Sequence, residues 1–398
     1  MKYVIVLADG MADLPIAELG CKTPLECANT PCMDALACAG SMGMVRTVPP
    51  SMKPGSDVAN LAVMGYNPLT CYSGRSPLEA LSVGVDMKDS DVIFRCNIVT
   101  LSEDESYENK TILDHSSGEI STEDADILMD AVRDAFQNEE FKFYTGTSYR
   151  HITVWDNGEV LDMEPPHDHL GQTIGQYLPE NPLFRDMMKK SFDVLNNHPL
   201  NVKRAAEGKN KANSLWFWGA GTKPSLQNFK EKTGLNGTMI SAVDLLKGIA
   251  VGAGMQVVEV EGATGSLDTN YVGKAQAAVD ALLKDNQDFV YIHIEAPDEM
   301  GHQGNVHHKV QSIEEIDKNV ISVVKKALDD SGETYRILVL PDHPTPICMR
   351  THTSEPVPYV LFDSSRIGNK DTVFTEKAAE STGMYQPEGY RLLDLLIK

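Results

Sequence analysis

The sequence predicts an α/β protein built on a doubly wound, mostly parallel sheet that carries a smaller inserted α+β domain. Three runs point there. Residues 289–294, Phe-Val-Tyr-Ile-His-Ile, are aromatic or β-branched almost throughout, with little polar alternation. A strand reads this way when both of its faces are covered. Residues 3–8 and 336–340 read the same way. Each run ends in an acid: Asp9 after the first, Asp298 just past the stop at Pro297, and Asp342 after the third. In open α/β sheets the chemistry lies outside the carboxyl ends of the strands. Singly each acid reads as a turn cap; together, with His302, His343 and His352 close by in sequence, they have the residue types that hold a divalent metal.

The chain has 398 residues, enough for a large buried core and two domains or more. Its formal charge of −22 and pI near 4.8 argue against nucleic acid or an anionic membrane surface as a general partner. An anionic substrate therefore has to be recruited by a local cluster of cations. Seven cysteines, with no Cys-x-x-Cys pair, fit thiols on helix faces in a reducing cytoplasm better than a zinc site. The most apolar long segment, 240–255, is interrupted by Asp244 and Lys247, so no membrane span is expected.

Taken in order, residues 25–39 read as a helix with a break at Thr30-Pro31, and 42–48 as an extended run. The prolines Pro49, Pro50 and Pro54 force a loop before Gly55-Ser56-Asp57. Gly, then Ser as N-cap, then an acid and apolar residues at helical spacing are the grammar of a helix start. Ser56 is either a plain cap or a hydroxyl among N–H groups suited to a phosphate, which a nearby metal would turn into a nucleophile.

From about residue 90 the texture changes. Residues 91–101 read as a strand and 122–137 as an amphipathic helix. Residues 141–155 read as two strands around a turn holding Arg150 and His151, and 181–195 as a helix. Residues 91–199 are therefore assigned to the inserted domain, with 1–90 and 200–398 forming the larger one. The α/β pattern resumes with a strand at 214–218 and a glycine loop at 219–224 bearing Lys223. That loop lacks the spacing of an ATP-binding P-loop. Strands at 239–242, 256–260 and 357–362 and helices at 243–253, 271–284 and 310–328 complete the reading.

These pieces carry a resemblance. The motifs are Leu7-Ala-Asp9-Gly10, Pro54-Gly-Ser56-Asp-Val-Ala-Asn60, Ser73-Gly-Arg75-Ser-Pro-Leu-Glu79, Phe94-Arg95-Cys-Asn97 and Tyr149-Arg150-His151. Further on stand Gly262-Ala-Thr-Gly265, Pro297-Asp298-x-x-Gly301-His302, Pro341-Asp342-His343 and Thr351-His352. Spanning nearly the whole length, the chain resembles the cofactor-independent phosphoglycerate mutases of the archaeal type, within the alkaline phosphatase superfamily. The resemblance implies an alkaline-phosphatase-like fold and two divalent metals, manganese first, with zinc, cobalt or magnesium as alternatives. Asp298, His302 and His352 would hold one, and Asp9, Asp342 and His343 the other, beside Ser56. It implies that Ser56 takes the phosphoryl group of 3-phosphoglycerate and returns it to the 2-hydroxyl, a step of glycolysis and gluconeogenesis. Arg150, His151, Arg75, Arg95 and Lys223 are the expected substrate-binding residues, in a cytoplasmic monomer or small homo-oligomer. Gly-Ser-Asp surrounds the nucleophile where the better-known bacterial and plant enzymes carry Asn-Ser-Glu. A homoserine kinase of the same fold, or a metal-dependent phosphatase or phosphonate hydrolase, are the competing readings.

Overall fold

The computed structural model describes residues 1–103, 105–366 and 368–398. The chain divides into two compact units, one of Met1–Tyr72 with Ser225–Lys398 and one of Ser73–Pro224.

The first unit is organised on an eight-stranded sheet. Its centre is the strand Lys2–Ala8, paired in parallel with Phe289–Ile294 on one side and Tyr335–Leu340 on the other. Gly237–Ile240 and then Gln256–Val257 extend it in parallel beyond Phe289–Ile294. Beyond Tyr335–Leu340 come Val357–Asp363 and Ser41–Val45, both antiparallel to their inner neighbours, and then Tyr385–Gln386. Val4, Val6, Val290, Ile292, Ile337 and Val339 pack with the helices Pro31–Ala39, Tyr271–Leu283 and Val306–Ile316 on one face. Ile5, Leu7, Tyr291 and Leu338 alternate with them along the strands and are equally buried. Covering both faces explains why the central strands lack polar alternation. The expected doubly wound, mostly parallel sheet is the observed one.

Several details differ from the sequence reading. The expected helix at 310–328 starts at Val306 and is interrupted by a π turn, Asp317–Ile321, before Ser322–Ser331 continues it. The turn places buried Asp317 so that its carboxylate accepts the Cys32 and Met33 N–H groups, at 3.1 and 2.7 Å. The strand expected at 256–260 shrinks to two residues. The short edge strand Tyr385–Gln386 carries no alternating pattern from which it could be read.

The second unit holds an antiparallel sheet on the long strand Val92–Leu101. This strand pairs with Arg150–Trp155, Ser214–Thr222 and, at its end, Ile112–Asp114, while Phe141–Tyr144 pairs with Arg150–Trp155. The helices Thr122–Phe136 and Pro182–Leu195 bury Leu128, Met129, Phe184 and Met188 against it. The boundaries at 90 and 200 expected from sequence are thus corrected outward. Ser214–Thr222 pairs along most of Val92–Leu101, and the helix Arg75–Ser82 packs on both strands. The glycine loop at 219–224 is corrected as well, because the strand continues through it to Thr222. A register shift there is absorbed by Gly219, whose φ of 66° suits glycine. Arg150 and His151 begin a strand and do not lie in the turn before it.

Candidate active site

Parallel register brings the ends of three strands together: Ala8 pairs with Ile294, and Leu7 with Leu340. Asp9 therefore emerges beside the segment bearing Asp342 and the helix Ala296–Gln303, which presents Asp298 and His302 one turn apart. Gly10 makes the convergence feasible. Its φ is 61°, and a Cβ there would lie 2.6 Å from both Asp298 Oδ1 and Thr345 Oγ1. Its N–H instead donates to Asp342 Oδ1 at 3.1 Å.

Two groups of ligand atoms result, each within 4.8 Å: Asp9 with Asp342 and His343, and Asp298 with His343 and His352. His302 joins the second, with Nε2 at 3.2 Å from Asp298 Oδ2 and 2.9 Å from His352 Nε2. All seven residues expected at this site from the sequence, Ser56 included, meet here. Ser56 is not the N-cap, however. Gly55 takes that position, and Ser56 opens the helix Ser56–Val63. Its Oγ lies 3.1 Å from His343 Nε2 and 3.5 Å from Asp9 Oδ2. The capping explanation for this serine therefore falls away.

The electrostatics of the cluster call for a cation. Asp9 is pushed well above the usual carboxylate range, by burial first and then by the charges of Asp342 and Asp298. Its Oδ1 is buried without a hydrogen-bond partner. Burial also works to raise Asp298, yet hydrogen bonds from His302 and His352 outweigh it and hold this carboxyl well below its ordinary value. His302 is drawn up to about 9, chiefly by Asp298, while burial lowers His343. Crowded carboxylates with an unsatisfied oxygen, faced by imidazole nitrogens, fit divalent metal ions of the manganese or zinc type.

A surrounding layer fixes these groups, and most of it was not read from the sequence. Asn60, one turn after Ser56, donates to Asp342 Oδ2 at 2.9 Å and to the Ser56 carbonyl at 2.8 Å, and accepts from the Tyr291 hydroxyl at 2.6 Å. His293 Nε2 lies 2.9 Å from Asp9 Oδ2 and its Nδ1 3.1 Å from Ser241 Oγ. Burial lowers His293 to about 3, which keeps the ring neutral. His302 Nδ1 lies 3.0 Å from the Arg350 carbonyl, and Thr345 Oγ1 donates to Asp298. Partners of this kind fix ring orientation and ligand basicity. One signal was available: a lone histidine inside a strand covered on both faces.

The second unit gathers the other expected residues around Glu79. Arg75 Nε lies 2.8 Å and Arg95 Nη1 2.9 Å from Glu79 Oε1. Burial works to raise Glu79, but Arg95 and Arg75 overcome it and, with a smaller contribution from Arg150, hold it below its ordinary value. Arg95 is buried and stacks 5.1 Å from the Trp218 ring, so it is no solvated surface charge. Arg150 is exposed and lies 4.8 Å from the Tyr149 ring. Lys223 is exposed, 3.5 Å from Asp89. His151 is fully buried, its Nδ1 accepting the Gly146 N–H at 3.2 Å, so the ring supports the strand from within.

A carboxylate, imidazole and serine cluster outside the strand ends of a doubly wound sheet defines an α/β enzyme. The model of the 2,3-bisphosphoglycerate-independent phosphoglycerate mutase family matches residues 37–201. A probable 2,3-bisphosphoglycerate-independent phosphoglycerate mutase of Geobacter sulfurreducens is 47% identical over 402 residues, covering all of both chains. The 2,3-bisphosphoglycerate-independent phosphoglycerate mutase of Methanosarcina acetivorans is 46% identical over 405 residues, again covering both completely. Among solved structures, a Pyrococcus horikoshii protein is similar at 31% identity and a TM-score of 0.81, over 99% of this chain and 96% of that one. The cofactor-independent phosphoglycerate mutase of Thermoplasma acidophilum aligns at 26% identity and a TM-score of 0.66, over 100% and 99%. The chain belongs to the 2,3-bisphosphoglycerate-independent phosphoglycerate mutase family.

Proposed function

We propose that the protein interconverts 3-phosphoglycerate and 2-phosphoglycerate through a phosphoryl group carried transiently on Ser56. The observation that carries this is the Ser56 hydroxyl at the junction of the two ligand groups, 3.1 Å from His343 and 3.5 Å from Asp9. Asp9, Asp342 and His343 would hold one divalent cation, and Asp298, His302 and His352 a second, manganese being the first choice. When bound, the cations would neutralise the phosphoryl oxygens and favour the serine alkoxide.

The chain's own residues do the rest. Asn60 ties the Ser56 carbonyl to Asp342, so the nucleophile and a ligand are set by one side chain. Ser56 Oγ forms its bond to phosphorus as the bond to the glycerate 3-oxygen breaks. The proton lost by the serine is matched by the one the leaving alkoxide gains. The reverse exchange at the 2-oxygen frees Ser56. Between the two steps glycerate must be retained, and Ser73–Pro224 is assigned that role. Arg150, Arg75 and Arg95 are its partners for carboxylate or phosphate, since a guanidinium pairs bidentately with either. Lys223 adds charge near them in sequence.

The test is a manganese-loaded preparation given 3-phosphoglycerate with enolase as coupling enzyme, run beside ATP with homoserine. Turnover of the first and none of the second is expected. Phosphoryl transfer to homoserine, or release of inorganic phosphate alone, would overturn the mutase reading.

A further inference from the structure

The loop from Asp342 to Thr353 has a second surface that the chemistry above does not use. Pro344, Pro346, Met349 and Thr353 help to line a cavity of about 560 Å³, within the range that holds small organic molecules. None of Asp9, Ser56, Asp298, His302, Asp342, His343 and His352 lines it. Four of the exposed large apolar side chains meet there: Leu14, Met349, Met384 and Tyr385, at 47, 52, 58 and 50% exposure. Scattered singly such side chains mean little; gathered around one concavity they mark a binding surface.

The polar part of the lining is acidic. It contains Asp13, Glu355, Glu376 and Glu380 and neither lysine nor arginine. Asp13 is neutralised by buried Lys309 at 2.8 Å. Arg46 is committed to the Tyr385 hydroxyl at 3.2 Å and the Ser354 carbonyl at 3.0 Å. Glu376 and Glu380 lie one turn apart on the helix Glu376–Ser381, so their like charges share a face. The Glu376 carboxyl is fixed by the Thr23 hydroxyl at 2.7 Å and the Asp13 N–H at 3.4 Å. Burial pushes it up to about 7, a strain that a cation in the cavity would relieve.

We propose that this cavity binds a small organic monocation, an ammonium on an apolar body. Glu376 and Glu380 take the ammonium, and Met44, Met349 and Met384 the body. A second copy of the chain is the poorer occupant, since it would bring a formal charge of −22 to an acidic mouth. The occupant would also touch the loop of the first site. Pro344 and Pro346 flank Thr345, which bonds Asp298, and Thr353 follows His352.

The test uses the full chain, n-hexylammonium as probe and 1-hexanol as its neutral counterpart, followed by calorimetry. Saturable binding of hexylammonium near about 1 mM is expected for so small a ligand. Hexanol should bind at least about tenfold more weakly, and so should hexylammonium to the Glu376→Gln, Glu380→Gln double variant. Glu380→Gln alone changes an exposed residue, keeps the fold and should also weaken binding. Hydrogen exchange over residues 344–356 should slow when the probe binds. The proposal falls if hexylammonium does not saturate, if hexanol binds equally well, or if neither glutamine variant changes the affinity. It falls too if exchange over 344–356 is unmoved, or if sedimentation shows self-association that Met384→Glu abolishes. No readout depends on turnover, so the proposal stands or falls apart from the mutase reading.

Discussion

Lys309 Nζ lies 2.8 Å from Asp13 Oδ2, and neither side chain reaches solvent. The same ammonium donates to the Thr345 carbonyl at 2.8 Å, while Asp13 accepts the Leu14 and Ile347 N–H groups. The pair thus pins the loop that follows Asp342 and His343. Removing one member leaves the other as an uncompensated buried charge. Lys309→Met should cost about 3–5 kcal/mol in denaturant unfolding. A loss below about 1 kcal/mol would show that the loop holds without the pair.

Ser56→Ala should abolish phosphoryl transfer and leave manganese binding and the unfolding midpoint nearly unchanged. The hydroxyl caps no helix, so little stability is at stake. Turnover near the wild-type rate in the enolase-coupled assay would exclude a phosphoserine.

Asn60 acts through its neighbours and is a positioning residue. Asn60→Ala strands the Tyr291 hydroxyl and removes a donor from Asp342. Stability should fall by about 1–3 kcal/mol. Manganese affinity, read by calorimetry, should drop about 10–100-fold. Unchanged affinity would mean that Asp342 is held well enough by Gly10 and His343 alone.

Arg150→Ala should lower kcat/KM for 3-phosphoglycerate at least about 100-fold, near 2.7 kcal/mol of transition-state stabilisation. Metal content should not change. Wild-type kinetics would remove the second unit from the substrate-holding role given to it.

Lys274 supplies a pH signature. It is fully buried, with Nζ at 3.3 Å from the His293 carbonyl, and burial lowers it to about 8 from an ordinary 10.5. Between those values the unfolded chain binds the proton and the folded one does not, so folding stability rises with pH across that window. As pH falls through 8 the full cost returns, on the order of 3 kcal/mol. Lys274→Met should lack this rise, which urea titrations of both proteins from pH 7 to 10.5 would reveal. Parallel stability curves would place the lysine's titration elsewhere.

The parallel centre of the sheet was legible because three apolar runs each end in an acid, a pattern that needs no partner to be seen. The ligand cluster followed for the same reason. What escaped depends on contacts distant in sequence. Nothing local marks Asn60 as the link between Ser56 and Asp342, because that role exists only once residues 282 positions apart are neighbours. Ser214–Thr222 was assigned to the larger unit because its apolar pattern fits either sheet; only its pairing with Val92–Leu101 decides. Arg95 looked like any surface charge until Glu79 and Trp218 closed around it.

The π turn at Asp317–Ile321 gives its helix a phase as well as a cap. Such a turn accommodates one residue more than α geometry would. Deleting a single residue from it would let the helix close as a regular α-helix and rotate everything beyond by about 100°. Val324 and Leu328, now buried on the central sheet's helical layer, would swing toward water, and the exposed acids of the last turn toward the interior. A shortening that looks minor in a helix of this length is thus a change of face for its whole second half.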